Sequence, residues 1–452
     1  MPCRFLQGLE GFLPPPRAPS PAPTQLDPVE VDVQDLGGFL DPETPPRAPQ
    51  YAPSTASIQS VALKELQDEI SYPEILRYTD KALRSLLLAE GVLRSKKERP
   101  VIMCWSCGSR MEAADSRSTS LRCSEGRACP TRARLSNVDD AFTPFGPTAA
   151  SGGDKDFATF VRTAWCYGMK AGADQTAHLI REPGENLLTV HKKVQRHRQL
   201  HAIALAYSEM EHSQRVRFKY VVVEPDSARF GKRTTEDGSA RKHVARTLVL
   251  KGRKSKEWTA TPLQPSLSQG KRGMPPESLD EVLGPMQKQI RRGCILAPDG
   301  GQAFKAAAGA FQKPLLPGVR HGQKLFTPTA VLRGSSCQTE TKKRTLTKNI
   351  AKKSGRDYKM AAGDNCAEGL LGNIKTTLRR SGGIRAQRDK LSSLRALSAA
   401  ALLRQPGLRR VLQAHAAYRR ALESGVLKLS PTQAYAVNSI SWLGLAEDQV
   451  ET

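Results

Sequence analysis

The 452-residue sequence predicts an α/β fold: a mixed sheet with flanking helices, preceded by a cysteine-rich segment and a helical segment, behind a disordered N-terminal tail. Three observations carry this expectation. Apolar β-type runs ("VRFKYVVVEPD", "HVARTLVLKG", "EWTATPL") come first and are followed by a strand–helix alternation, an order that suits an α/β domain with a mixed sheet. Four of the nine cysteines crowd between Cys104 and Cys129. Apolar residues recur at helical spacing before and after the strands.

Taken in order, residues 1–58 are proline-rich ("FLPPPRAPSPAPTQLDP"), which rules out a packed helix or central strand and predicts a disordered tail. Residues 59–98 turn helical in "YPEILRYTDKALRSLLLAEGVL", closing on Gly91. The cysteine segment occupies 99–138. Residues 154–213 read as helix, short helix, turn and basic helix ("DFATFVRTAWCYGMK", "ADQTAHLI", "REPGE", "NLLTVHKKVQRHRQLHAIALAYSEM"). In the last, Leu187, Val190 and Val194 form the inner stripe, and Lys192, Lys193, Arg196 and Arg198 supply positive charge. That order suits a helix-turn-helix DNA reader; a plain bundle with a solvated basic face is the alternative. Residues 214–400 hold the strands, a helix near 279–291, the strand "GCILAPDGG", the helix "QAFKAAAGAF" and a short strand at "VRHGQKLF". A basic insert near 334–362 precedes a further helix. Residues 401–452 form a basic helical region and tail.

Lys plus Arg number 69 against 44 Asp plus Glu, a net charge of +25. Such a surplus points to polyanions, nucleic acid first, although a ribosomal or heparin-binding protein would share it. No apolar run reaches membrane length and the N-terminus lacks an apolar signal core, so an intracellular protein with no membrane partner is expected. In a reducing compartment, Cys104-Trp-Ser-Cys107, fifteen residues, then Cys123-SEGRA-Cys129 reads as two knuckles around one structural zinc. The second pair is wider than usual. Gly108 and Gly126 can supply the tight backbone.

Three carboxylates stand out. Asp226 ends the run "YVVVEPD" and Asp299 ends "CILAPD", where α/β folds tend to place sites; turn aspartates would look the same. Glu368 heads the helix in "AAGDNCAEGLLGNIKTTLRR". With Asn365 as N-cap it would complete a capping box. The helix wheel puts Leu370, Leu371, Ile374 and Leu378 on an apolar stripe, with Glu368, Gly372, Lys375 and Arg379 on a stripe beside it. Three acids on two strands and a helix suit two-metal phosphoryl transfer.

In this order along one chain, "CWSCGSRM" with "RCSEGRAC", "TAWCYGMKAGADQTAHLI" bearing Trp165, "VVVEPDSARFGKR", "ILAPDGGQAF" and "GDNCAEGLLGNIKTTLRR" resemble the DDE transposases of the Merlin superfamily and their bacterial insertion-sequence relatives. The resemblance covers roughly 100–400. It implies a zinc ribbon, a helical DNA-binding segment and an RNase H-like catalytic domain that cleaves DNA strands and transfers them to a target. Asp226, Asp299 and Glu368 would hold two Mg2+ (or Mn2+) ions. Lys375 and Arg379 would contact phosphate, with Lys192, Lys193 and Arg196 on DNA and Arg229, Lys232 and Arg233 as further candidates. Glu224 is the fallback first acid. The resemblance also implies a homo-oligomer acting on transposon ends and target DNA, nuclear in a eukaryote and otherwise cytoplasmic. This chain has Asp226-Ser227 where the family often has Asp-Glu, and Arg320-His321 where it often has Asn-His. A domesticated or decayed non-catalytic DNA-binding protein and an unrelated basic zinc-ribbon RNA-associated protein are the other two readings.

Overall fold

The computed structural model describes residues 70–94, 101–113, 120–134, 141–146, 156–219, 221–230, 233–234, 241–242, 245–253, 255–263, 276–291, 294–298, 302–312, 344–345, 359–360, 365–380 and 389–445. All belong to one compact unit spanning 53–452. The expected tail, the strand at "VRHGQKLF", most of the basic insert, Asp299 and Lys232 lie outside these residues.

The chain is mixed α/β. Helices α1 (Tyr72–Arg77) and α2 (Asp80–Ala89) lead into a four-stranded antiparallel sheet of β1 (Ile102–Met103), β2 (Arg110–Ala113), β3 (Ser120–Cys123) and β4 (Arg132–Arg134), in that spatial order. Then come α3 (Phe157–Gly168), α4 (Ala173–Ile180) and α5 (Leu187–Arg215). Asp156 caps α3 through Thr159 N, and Asn186 caps α5 through Leu188 N, each satisfying a first-turn donor.

The second sheet is built from β5 (Val222–Phe230), β8 (Ala245–Gly252), β9 (Trp258–Leu263) and β10 (Ile295–Leu296). Between β5 and β8 the short strands β6 (Arg233–Thr234) and β7 (Arg241–Lys242) pair with each other. The spatial order is β10-β5-β8-β9; β5, β8 and β9 run antiparallel and β10 joins β5 in parallel. Helices cover both faces. On one, α6 (Leu279–Gln289) and α7 (Gln302–Gln312) bring Val282, Met286 and Phe304 onto Val223, Leu248 and Leu250. In the insert, β11 (Arg344–Thr345) pairs with β12 (Lys359–Met360). On the other face, α8 (Asn365–Arg380) and α9 (Asp389–Arg404) pack with α5 onto Ala228, Phe230, Val249 and Ala260, and α10 (Leu408–Glu423) packs against α5 and α3.

Helix α5 joins the two halves. Its first turns are amphipathic, with Val190 and Val194 buried against Ala177 and Ile180 of α4. From Leu200 to Glu209 every residue is buried, as expected of a helix enclosed on all sides. The segment expected as a DNA reader therefore runs on into the core, and the main hydrophobic cluster extends from Ile70 through the cysteine sheet to Leu445. Arg198, expected on the charged surface, is a correction: it is buried, lies 4.8 Å over the Tyr167 ring and donates to Ala171 O at 2.8 Å. Trp165 is likewise structural, donating through Nε1 to Ile70 O at 2.8 Å and packing against Tyr72.

A polar chain crosses this core. Thr163 donates its hydroxyl to the carbonyls of Thr159 and Phe160, so His201 Nε2, 3.2 Å away, donates to Thr163. His201 Nδ1 must then accept from His415 Nε2 at 3.0 Å, and His415 Nδ1 accepts from the Tyr435 hydroxyl at 3.5 Å. Both rings are fully buried. Burial, reinforced by the neighbouring histidines, holds His201 well below its ordinary pKa and His415 down at about 3.

No described helix is long and apolar enough to cross a membrane.

Candidate functional site

Strand β5 carries Asp226. Side chains alternate across a strand, and Val223 faces α6 and α7 whereas Ala228 and Phe230 face α8 and α9. The even-numbered Glu224 and Asp226 therefore share the α8 face. Asp226 is paired with Val249, which packs on that same face. Asp226 is half-buried, and its Oδ1 accepts from the Ser227 N–H at 2.7 Å.

Glu224 is fully buried. Its Oε2 accepts the backbone N–H groups of Cys366 at 2.8 Å and Ala367 at 3.2 Å. Its Oε1 takes the Arg253 guanidinium, and Arg253 N donates to Val222 O at 2.7 Å. Cys366 and Ala367 are the second and third residues of α8, whose N–H groups have no partner within the helix. A strand carboxylate thus fills the place of an N-cap, on the positive end of the helix dipole. The capping box expected from Glu368 is corrected accordingly. Asn365 is already helical and Glu368 is the fourth residue of α8.

Relieved of capping, Glu368 is exposed and makes no hydrogen bond or ion pair among the described residues. It lies one residue beyond Ala367, which is fastened over Glu224; Asp226 stands two residues along the same strand face, about 7 Å at the usual rise. The helix wheel holds. Ala367, Leu371, Ile374 and Leu378 are buried, Leu370 is half-buried, and Glu368, Gly372, Lys375 and Arg379 are all exposed. The structure thus brings the helix of Glu368 onto the strand of Asp226, while Asp299 lies outside the described residues. On the opposite face of β5, Ser227 donates its hydroxyl to Glu277, and fully buried Arg246 pairs with Glu277 at 3.3 Å and Glu281 at 2.9 Å.

Lys192, Lys193 and Arg196 lie on the exposed side of α5, with Lys193 3.2 Å from Glu185. Arg229 is exposed on β5, and Arg233 lies in β6.

The cysteine sheet brings Cys104, Cys107, Cys123 and Cys129 together, all four Sγ atoms within 4.8 Å of one another. Cys104 and Cys129 are 3.7 Å apart, Cys107 and Cys123 3.4 Å, and none is in a disulfide. Four sulfurs at about 2.3 Å from a tetrahedral metal would stand about 3.8 Å apart, so the donor set fits such an ion. The knuckles depend on left-handed glycines, Gly108 at φ 85° and Gly126 at φ 55°. Gly108 N donates to Cys104 O and Gly126 N to Cys123 O. Burial opposes ionisation of Cys104, but the N–H groups of Cys107 and Ser106 outweigh it and bring the thiol down to about 6. Burial pushes Cys123 the other way.

Sequence reasoning considered Glu224 only as a spare ligand and missed its capping role. The signal available was an acid two residues before Asp226 in an otherwise apolar strand. Comparison of the chain with protein-family models, with curated proteins and with solved structures finds no match.

Proposed function

We propose that the protein is a DDE-type DNA transposase-like enzyme of the Merlin kind, in which Asp226, Asp299 and Glu368 form the acid triad of an RNase H-like domain. The observation that carries this reading is the fastening of α8 to β5 through Glu224, which leaves Glu368 exposed beside the strand of Asp226. Two further facts support it. A mixed sheet with helices on both faces agrees with the RNase H-like sheet that the resemblance implies. Strand β10 pairs Ile295 with Val222 and Leu296 with Val223, an offset of 73 residues (295 minus 222), and Asp299 stands at that same sequence offset from Asp226.

Two magnesium ions held by these carboxylates would activate the attacking oxygen and stabilise the leaving one. The chain's own residues do the rest. Glu224 fixes the approach of α8, and Lys375 and Arg379, exposed about two and three turns beyond Glu368, are available to phosphate oxygens. The four cysteines are assigned to a structural zinc, because all four tetrahedral positions are taken by protein sulfur.

The test is cleavage of terminal-repeat DNA with magnesium, parent against Glu368→Gln. Cleavage should fall by about a hundredfold or more, the scale on which losing one group that supports charge stabilisation in the transition state acts. Equal cleavage by the two proteins rules out the metal role of Glu368.

A further inference from the structure

An open cleft of about 650 Å³, lined by neither Asp226 nor Glu368, lies between the second half of α5, the end of α9 and α10. Its floor is fixed by Arg404, which grips the buried Glu209 through two hydrogen bonds of 2.8 and 3.2 Å and lies 3.8 Å over the ring of Trp258. Trp258 opens β9, two strands across the sheet from Asp226's β5. The walls carry Arg215, Arg410 and Arg420, and Glu211 is the only acid among the described residues that line it. Arg215 pairs with Glu211, and its side chain is 75% exposed. Arg420 is exposed, and the Nε of Arg410 is buried without a hydrogen-bond partner among the described residues. His212, on the α5 wall, is held down at about 4 by burial and then by Arg404, Arg410 and Arg215, as a field of positive sign requires.

The spacing of the wall residues narrows the ligand. On α10 the lining positions Arg410, Gln413, Ala417 and Arg420 follow the three-to-four-residue helical repeat. The two arginines are therefore about 15 Å apart along the axis, farther than one small anion reaches. Arginine and glutamine along one stripe are donors suited to successive phosphates. We infer that this cleft binds the sugar–phosphate backbone of duplex DNA, as a second DNA contact separate from the acid site. The inference rests on DNA being the substrate proposed above, but not on the triad being active.

The experiment measures binding of the full chain to a short labelled DNA duplex, with chelator present so that the acids' metal chemistry plays no part. Salt is varied over about 50–200 mM, where log K falls with log salt and each neutralised phosphate adds about 0.9 to the size of that slope. Arg215→Gln with Arg420→Gln, both at exposed positions, should lower the slope by about 1.8, and adding Arg410→Gln should lower it further. An unchanged slope in variants with the parent's circular dichroism and melting temperature overturns the proposal. So does a parent that shows no salt-dependent binding, or a loss seen with an RNA duplex and not with DNA. A lowered slope with unchanged cleavage by Glu368→Gln would keep the cleft and remove the triad.

Discussion

Replacing Glu224 is the most informative perturbation, because one carboxylate holds three donors from two other segments. In Glu224→Ala the Cys366 and Ala367 N–H groups lose their acceptor and Arg253, a side chain only 17% exposed, loses its counter-ion. A hydrogen bond to a charged group is worth about 1.5–3 kcal/mol, and breaking a buried pair by removing one partner costs about 3–5 kcal/mol. These overlap, because the same charge makes every contact. Water can also reach Cys366, which is exposed. The expected loss is therefore about 3–5 kcal/mol for Ala, and about 1–3 kcal/mol for Gln, which keeps one acceptor oxygen but not the charge. Urea denaturation measures the total, and amide hydrogen exchange locates it. Protection should fall at least tenfold at residues 366–368 in Glu224→Ala and less in Glu224→Gln, with the strands of the cysteine sheet unchanged. A stability change under about 0.5 kcal/mol, the size of an ordinary surface substitution, with parent-like exchange at 366–368, would refute the capping role.

Two other outcomes follow from the structure. Cys104→Ser should abolish stoichiometric zinc in the purified protein and melt the cysteine sheet, because that sheet shares its core with α2 and α10; zinc content by mass spectrometry and the melting temperature check this. Acid should destabilise the protein through half-buried His197 and fully buried His201 and His415, whose pKa values are lowered to about 4, well below 6.5 and to about 3. Above pH 6.5 these groups are neutral folded or unfolded and stability is at its full value. As pH falls from 6.5 towards about 4 only the unfolded chain takes up the protons, so stability drops by up to about 1.4 kcal/mol per pH unit for each histidine. His415→Asn should flatten that slope in urea titrations between those pH values, and an unchanged slope would refute the buried, neutral assignment.

Local pattern was enough for several features. The spacing of Cys104, Cys107, Cys123 and Cys129 pointed to a four-sulfur site because short knuckles and turn glycines are sequence-local devices, and the sulfurs do converge. The wheel of α8 placed Leu371, Ile374 and Leu378 inside and Glu368, Lys375 and Arg379 outside, since a period of 3.6 needs no knowledge of the partner surface. Strands β5, β8 and β9 were legible from their apolar runs. Tertiary structure decided the rest. The capping of α8 by Glu224 spans 142 residues and the His201–His415 bond spans 214, and no local rule pairs groups that far apart. Arg198 carries the same side chain as its exposed neighbour Arg196, yet lies inside because the Tyr167 ring and the Ala171 carbonyl meet it there. The residues themselves determined the inventory of acids, cations and thiols and their local periods; which acid caps a helix and which is left exposed was settled by the packing of α8 on β5.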